Sequence, residues 1–147
     1  MKKMILSILL LLGSSLGIQA QEIRADVIKV TVTGKSSYRF NVTLESDETG
    51  CQQYADWWEV LDSQGKLLYR RILFHSHPND QPFTRSGGNV ILNPDQKVFI
   101  RGHMNKLGYV GDLFEGSVSK GFQKTEKPLV FPKALETQVP LPDGCAF

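Results

Sequence analysis

The sequence has only two cysteines, no strongly basic or acidic tract and no hydrophobic run long enough to cross a membrane. Its longest apolar run lies between Met4 and Leu12 and contains Ser7, whereas a bilayer core of ~30 Å requires about 20 apolar residues. The 147 residues are 41% hydrophobic and 22% charged. This composition excludes a disordered, a collagen-like and a disulfide-rich chain, and it predicts one globular domain.

The N-terminus has the pattern of a secretory signal peptide. Lys2 and Lys3 precede the short apolar run, and small residues follow it up to Ala20. We therefore expect a signal peptide of residues 1–20, with cleavage after Ala20 and export to the periplasm or the extracellular space. No cysteine directly follows the expected cut, so no lipid anchor and no other membrane anchor is predicted.

The expected mature chain carries no net charge. Removing residues 1–20 takes away two lysines and no acid, which leaves 15 basic and 15 acidic side chains. The longest basic run is Arg70-Arg71. A nucleic-acid-binding protein needs clustered positive charge to displace the counterions of the phosphates, so this class is excluded.

The two cysteines are Cys51 and Cys145. In an exported chain the oxidising compartment favours a disulfide between them. This bond would close a loop of 94 residues, which the chain-entropy account values at about 4–5 kcal/mol.

Apolar and polar residues alternate with a period of two through most of the chain, and no segment has the spacing of an amphipathic helix. Ile28, Val30 and Val32, for example, alternate with polar neighbours. Turn-forming residues separate the alternating segments. The seven predicted strands cover residues 28–33, 38–44, 56–61, 66–74, 89–92, 96–102 and 113–120.

Seven short antiparallel strands predict an all-β, immunoglobulin-like sandwich over residues 21–124. Trp57 or Trp58, on the third strand, is expected between the two sheets. Residues 75–88 form the longest predicted loop. The prolines of residues 125–147 indicate an extended C-terminal tail, which the disulfide would tie back to the domain.

The alternating strand directions place Cys51 and all three histidines at one end of the sandwich. His75 and His77 form an H-x-H pair whose side chains share a face in extended chain. His103 and Met104 end a different strand. Imidazole with thioether suits copper, so these four residues are a candidate copper site.

Asp80 offers a second metal hypothesis, since a carboxylate with imidazoles suits zinc. The alternative is structural, in that His75 and His77 hydrogen-bond backbone groups and hold the long loop in place.

The same loop contains Asp80, Phe83 and Arg85, which are candidate binding residues for a partner or an anionic ligand. The alternative is that Phe83 closes the open end of the sandwich while Arg85 pairs with Asp80 or Glu59. No catalytic set is predicted, because no Ser–His–Asp combination has a diagnostic spacing and Ser86-Gly87-Gly88 is not a nucleophile elbow.

Two resemblances to known families accompany these patterns. Residues 75–86 and 103–111 resemble an uncharacterised family of exported bacterial domains with an H-x-H and E-Q-P-F-T-R-S pattern. The matching residues are His75-Ser76-His77 and then Gln81-Pro82-Phe83-Thr84-Arg85-Ser86. Asp80 stands here in the place of the glutamate. The likeness covers most of residues 50–112 and implies no particular function.

The second resemblance is to the iron-binding domain of superoxide reductase, an immunoglobulin-like sandwich. Residues 54–59 are similar to its H-Y-x-E-W-x-E stretch, and residues 103–108 to its Y-C-N-x-H-G iron loop. Gln53, Met104 and Leu107 stand at three ligand positions, so the resemblance implies the fold and not the iron.

Two functions follow from the sequence. The first is an exported, non-catalytic sandwich that binds a protein, a glycan or a small ligand through the loops at one end. The second is a periplasmic binder of copper or zinc that uses His75, His77, His103 and Met104.

Overall fold

The computed structural model describes residues 22–125 and 129–146, so the expected signal peptide lies outside the described residues. The described part contains eight strands and one short 3₁₀ helix of residues Lys133–Thr137. The strands are β1 (Ala25–Gly34), β2 (Tyr38–Ser46), β3 (Ala55–Asp62), β4 (Leu67–Ile72), β5 (Phe83–Val90), β6 (Val98–Met104), β7 (Phe114–Ser117) and β8 (Gly121–Lys124).

Two antiparallel sheets face each other. One has the order β1-β2-β5 and the other the order β4-β3-β6-β7-β8. The division of β1, β2 and β5 from β3, β6 and β7 is that of an immunoglobulin-like sandwich, with β4 added at the edge beside β3. The predicted all-β sandwich is thus confirmed.

The structure corrects two strand predictions. β5 begins at Phe83, inside the segment predicted as a loop, and it pairs with β2 from Leu44↔Phe83 onward. Gly87 and Gly88 hide its alternation, and Gly87 is needed because a Cβ there would lie 2.5 Å from the Tyr69 hydroxyl. The strand predicted over 113–120 is shorter, since β7 ends at Ser117 and a turn leads to β8, which lies beyond the predicted bounds.

The core lies between the sheets and is formed by the inward positions of both. Its largest fully buried side chains include Trp58, Phe40, Leu44, Ile100 and Met104. Trp58 is the tryptophan predicted for this place. Trp57, its neighbour on β3, points the other way and is also buried, with 3% of its surface exposed.

The C-terminal segment, residues 129–146, packs on the outer face of the five-stranded sheet. Leu135 packs there against Leu61 and Phe99. The segment ends where the Ala146 amide donates to the carbonyl of Phe74 at 2.7 Å. The predicted disulfide is present, with an S–S distance of 2.03 Å between Cys51 and Cys145.

Candidate binding surfaces

One end of the sandwich, here called the rim, is formed by residues 46–54, 73–82, 105–108 and 145–146. These segments meet because β2, β4 and β6 end there and β3 begins there. Trp57, for example, is in register with both Ile72 and His103. The strand directions read from the sequence predict this meeting.

A buried carboxylate, that of Glu48, connects three parts of the rim. Oε1 of Glu48 accepts hydrogen bonds from the Ser46 hydroxyl at 2.7 Å and from the Ala55 amide at 3.2 Å. Oε2 accepts from the His77 amide at 2.5 Å. A carboxylate with three donors is satisfied away from water, so Glu48 holds the end of β2, the start of β3 and the His77 loop together.

His77 is itself packed into the rim. Its ring stacks on Phe83 with centroids 3.9 Å apart, and Nη2 of Arg85 donates to its Nε2 at 2.6 Å. Burial, with the charges of Arg85 and His75 nearby, lowers the pKa of His77 to about 4. The imidazole is therefore neutral at pH 7, and its remaining Nδ1 hydrogen is buried without a hydrogen-bond partner.

The candidate metal residues do not form one site. The rings of His75 and His77 are close, with centroids 4.5 Å apart. His103 lies on the outer face of the five-stranded sheet, where its Nδ1 bonds Oδ1 of Asp56 at 2.6 Å and its ring stacks on Trp57 at 3.5 Å.

Met104 is fully buried in the core. Successive residues of a strand point to opposite faces. His103 and Met104 therefore cannot bind the same metal ion. Over residues 22–125 and 129–146, no group of three His, Cys, Asp or Glu side chains is placed to hold a metal ion.

The three candidate binding residues have different positions. Phe83 is 3% exposed and closes the end of the core, as the structural alternative predicts. Arg85 pairs with His77, and not with Asp80 or Glu59 as the sequence suggested. Of the three, Asp80 alone is exposed.

A charged cluster that the sequence analysis missed lies on the outer face of the five-stranded sheet. Glu59 in β3 is in register with Arg70 in β4 and with Arg101 in β6. Nη2 of Arg70 lies 2.6 Å from Oε2 of Glu59, and Nη2 of Arg101 lies 2.8 Å from Oε1. The sequence did contain a signal for it, because Glu59 lies inside the apolar run of β3. A glutamate buried in such a strand requires a cationic partner.

Comparisons with known proteins show one match. A protein named "Putative lipoprotein" from Halomicrobium mukohataei is 35% identical over 113 residues, which cover 73% of this chain and 56% of that protein. The chain thus spans little more than half the length of this relative. No protein-family profile and no solved structure matches the sequence. Within the described residues there is no helix with the length and apolar character that crossing a membrane requires.

Proposed function

We propose that the protein is an exported, non-catalytic module that binds a protein partner through the rim. Export is supported by the name of the relative, a lipoprotein, and by the disulfide, since such bonds persist in oxidising compartments. The N-terminal signal-peptide pattern of the sequence supports the same compartment.

The observation that carries this proposal is the Glu48 network, because it fixes loops that a sandwich does not need to fix. Gln81 adds to it, since its Oε1 accepts from the Ser46 amide at 2.9 Å and its Nε2 donates to the His77 carbonyl at 3.1 Å. Asn105 joins the neighbouring loop by donating to the Cys51 carbonyl at 3.2 Å. Loops held in one conformation lose little entropy on binding.

The fixed rim presents apolar side chains to the solvent. Phe74 is 56% exposed and Leu107 is 48% exposed. Pro78, Asn79 and Asp80, in the loop that follows Phe74, are also exposed. Exposed aromatic and aliphatic groups on a rigid frame are typical of protein–protein contacts, and this favours a protein over a glycan as the partner.

The non-catalytic part of the proposal rests on the surroundings of the histidines. Among the described residues, neither His77 nor His103 hydrogen-bonds a serine, threonine or cysteine side chain. Their ring partners are Arg85 and Asp56. A nucleophile within hydrogen-bond reach of a base is the signature of covalent catalysis, and neither histidine has one.

Site-specific photocrosslinking in the native cell tests the rim. A photoreactive amino acid at Phe74, Asn79 or Leu107 should give one discrete adduct. The same amino acid at Ser63 or Gln64, in the exposed turn at the other end, serves as the control and should give none.

The rim substitution Phe74→Asp should then abolish the adduct formed from position 107. Adducts of equal yield from both ends, or none from the rim, would contradict the proposal.

A metal site is the second candidate, and the close approach of His75 and His77 favours it. A neutral His77 is the form that binds metal. Within the described residues neither Asp80 nor another His, Cys, Asp or Glu side chain is placed as a third ligand. Arg85 opposes this function because its guanidinium already occupies Nε2 of His77. Metal analysis of protein purified from its native compartment tests it, with the variants His75→Ala and His77→Ala. Unchanged metal content in both variants would exclude these ligands.

A further inference from the structure

The cluster around Glu59 contains two guanidinium groups and one carboxylate. The Glu59 and Arg70 side chains are fully buried, and the Arg101 side chain is 8% exposed. The three side chains therefore carry one unbalanced positive charge at a place from which water is largely excluded. A buried charge without a counter-charge is costly, and this raises the question of what balances it.

Arg70 does not need a further partner. Its Nε and Nη2 donate to Oε2 of Glu59, and Nη2 also donates to the Leu135 carbonyl at 2.7 Å. Its Nη1 donates to the carbonyls of Gln138 at 2.5 Å and Pro140 at 3.1 Å. Arg70 thus joins Glu59 to the C-terminal segment, and all three of its nitrogens have acceptors.

Arg101 is less completely paired. Its Nε donates to Oε1 of Glu59 at 2.8 Å and its Nη2 lies 2.8 Å from the same oxygen, whereas its Nη1 has no acceptor among the described residues. The guanidinium lies 3.2 Å from the ring centroid of Tyr109 and 4.8 Å from that of Phe131. Stacking on two rings fixes the plane of the group, and its Nη1 is left without an acceptor among the described residues.

Arg101 borders an open cavity of about 430 Å³ on the outer side of the sheet. Arg24, Lys124 and the carboxylate of Asp112 also line it, and both of these cations are paired with acids. Arg24 contacts Asp26 at 2.9 Å and Asp112 at 3.1 Å, and Lys124 contacts Asp112. The excess positive charge near the cavity is therefore that of the cluster that Arg101 belongs to.

The rest of the wall includes aromatic and aliphatic side chains. Tyr109, Leu113 and Leu129 all line the cavity, and Leu129 is 38% exposed. Burial, together with the charge of Glu59, raises the pKa of Tyr109 to about 12, so its phenol adds no charge at pH 7. A cavity that combines a cationic group with aromatic and aliphatic side chains has the make-up of a small-molecule site.

We propose that this cavity binds the carboxylate of a small organic ligand, with Arg101 as the charged anchor and Leu113 and Leu129 against the organic part. One carboxylate neutralises the single excess charge, and a planar guanidinium matches a carboxylate in a bidentate arrangement. The site shares no residue with the rim, so it stands independently of the proposed function.

Titration of the protein with simple ligands, followed by the methyl NMR signals of Leu113 and Leu129, tests the site. Butyrate and benzoate should shift both methyl groups saturably. Butyramide, which has nearly the shape of butyrate without its charge, should not, and inorganic phosphate should shift them less than butyrate does. The variant Arg101→Met should bind butyrate at least about tenfold more weakly, a loss of about 1.4 kcal/mol.

Two further variants make the result decisive. Lys97→Met removes an exposed positive charge away from the cavity and should leave butyrate binding unchanged. Leu129→Glu places a negative charge at an exposed wall position without disturbing the charged cluster, and it should abolish binding. The proposal is overturned if neither carboxylate gives a saturable shift, if Arg101→Met binds as wild type does, or if butyramide or phosphate binds as well as butyrate.

Discussion

At the scale of single residues, His77 shows how a buried imidazole makes stability depend on pH. Its pKa is about 4 in the folded protein and close to 6.5 when the group is free. Between these values the unfolded chain binds the extra proton, so stability falls as the pH decreases. The full contribution of His77 is present above about pH 6.5 and is lost below about pH 4.

We expect the free energy of unfolding to fall by about 2–3 kcal/mol through this group between pH 7 and pH 4. His77→Gln, which cannot be protonated, should remove that part of the pH dependence. Urea unfolding at several pH values gives the free energy of unfolding of the wild type and of the variant. Identical pH slopes would show that His77 does not titrate between the folded and unfolded states as described.

Glu48 is the second residue with a measurable role. Glu48→Ala leaves the amides of Ala55 and His77 and the hydroxyl of Ser46 without their acceptor, and each unsatisfied buried donor costs about 1–3 kcal/mol. We expect a loss of about 3 kcal/mol and faster amide exchange in residues 73–82.

Glu45→Ala is the matched control for that variant, since Glu45 is exposed and its removal should change stability by less than about 0.5 kcal/mol. If the two variants were equally stable, the Glu48 network would have no part in fixing the rim.

At the scale of elements, the two arginines of the outer sheet face have different roles. Arg70 joins β4 to the C-terminal segment through three carbonyls, and without it these acceptors and Glu59 lose their main donor. We expect Arg70→Met to cost about 3–5 kcal/mol and to expose residues 129–146 to protease. Arg101→Met leaves a balanced pair and should cost less than half as much.

Unfolding in urea and limited proteolysis of both variants measure this difference. Equal costs for the two substitutions would contradict the different roles of the two arginines.

The sequence predicted the elements with regular alternation and failed where alternation was interrupted. β1, β2, β3 and β6 are close to their predicted bounds. β5 was missed in part because its inward positions include Gly87, which Tyr69 covers. Such a contact between two sheets cannot be read from either segment alone.

The candidate site shows the same division. The meeting of the segments at the rim follows from strand direction, but the direction of each side chain depends on register. His103 and Met104 are consecutive in β6, but His103 points to the outer face and Met104 into the core. Their closeness in sequence therefore does not bring them into one metal site. The Glu59 cluster joins three strands and becomes visible only when they are paired. The two family resemblances stay predictions.

At the scale of the whole molecule, the bond between Cys51 and Cys145 closes most of the domain into one loop. Replacing both residues by alanine should lower the free energy of unfolding by about 4 kcal/mol, mainly by loosening the unfolded chain. The folded sandwich should remain, because Arg70 and Leu135 still hold the C-terminal segment.

Urea unfolding and circular dichroism of this double variant give the two readouts. A midpoint equal to that of the wild type would contradict the expected role of the disulfide.

The adjacent tryptophans give the protein two optical reporters of different events. Trp58 lies between the sheets, and its fluorescence should change when the whole domain unfolds. Trp57 stacks on His103 and lies 4.4 Å from the Arg70 guanidinium beneath the C-terminal segment, so its emission should change when that segment detaches. Variants with phenylalanine at one or the other position would therefore time the release of the segment separately from the loss of the core.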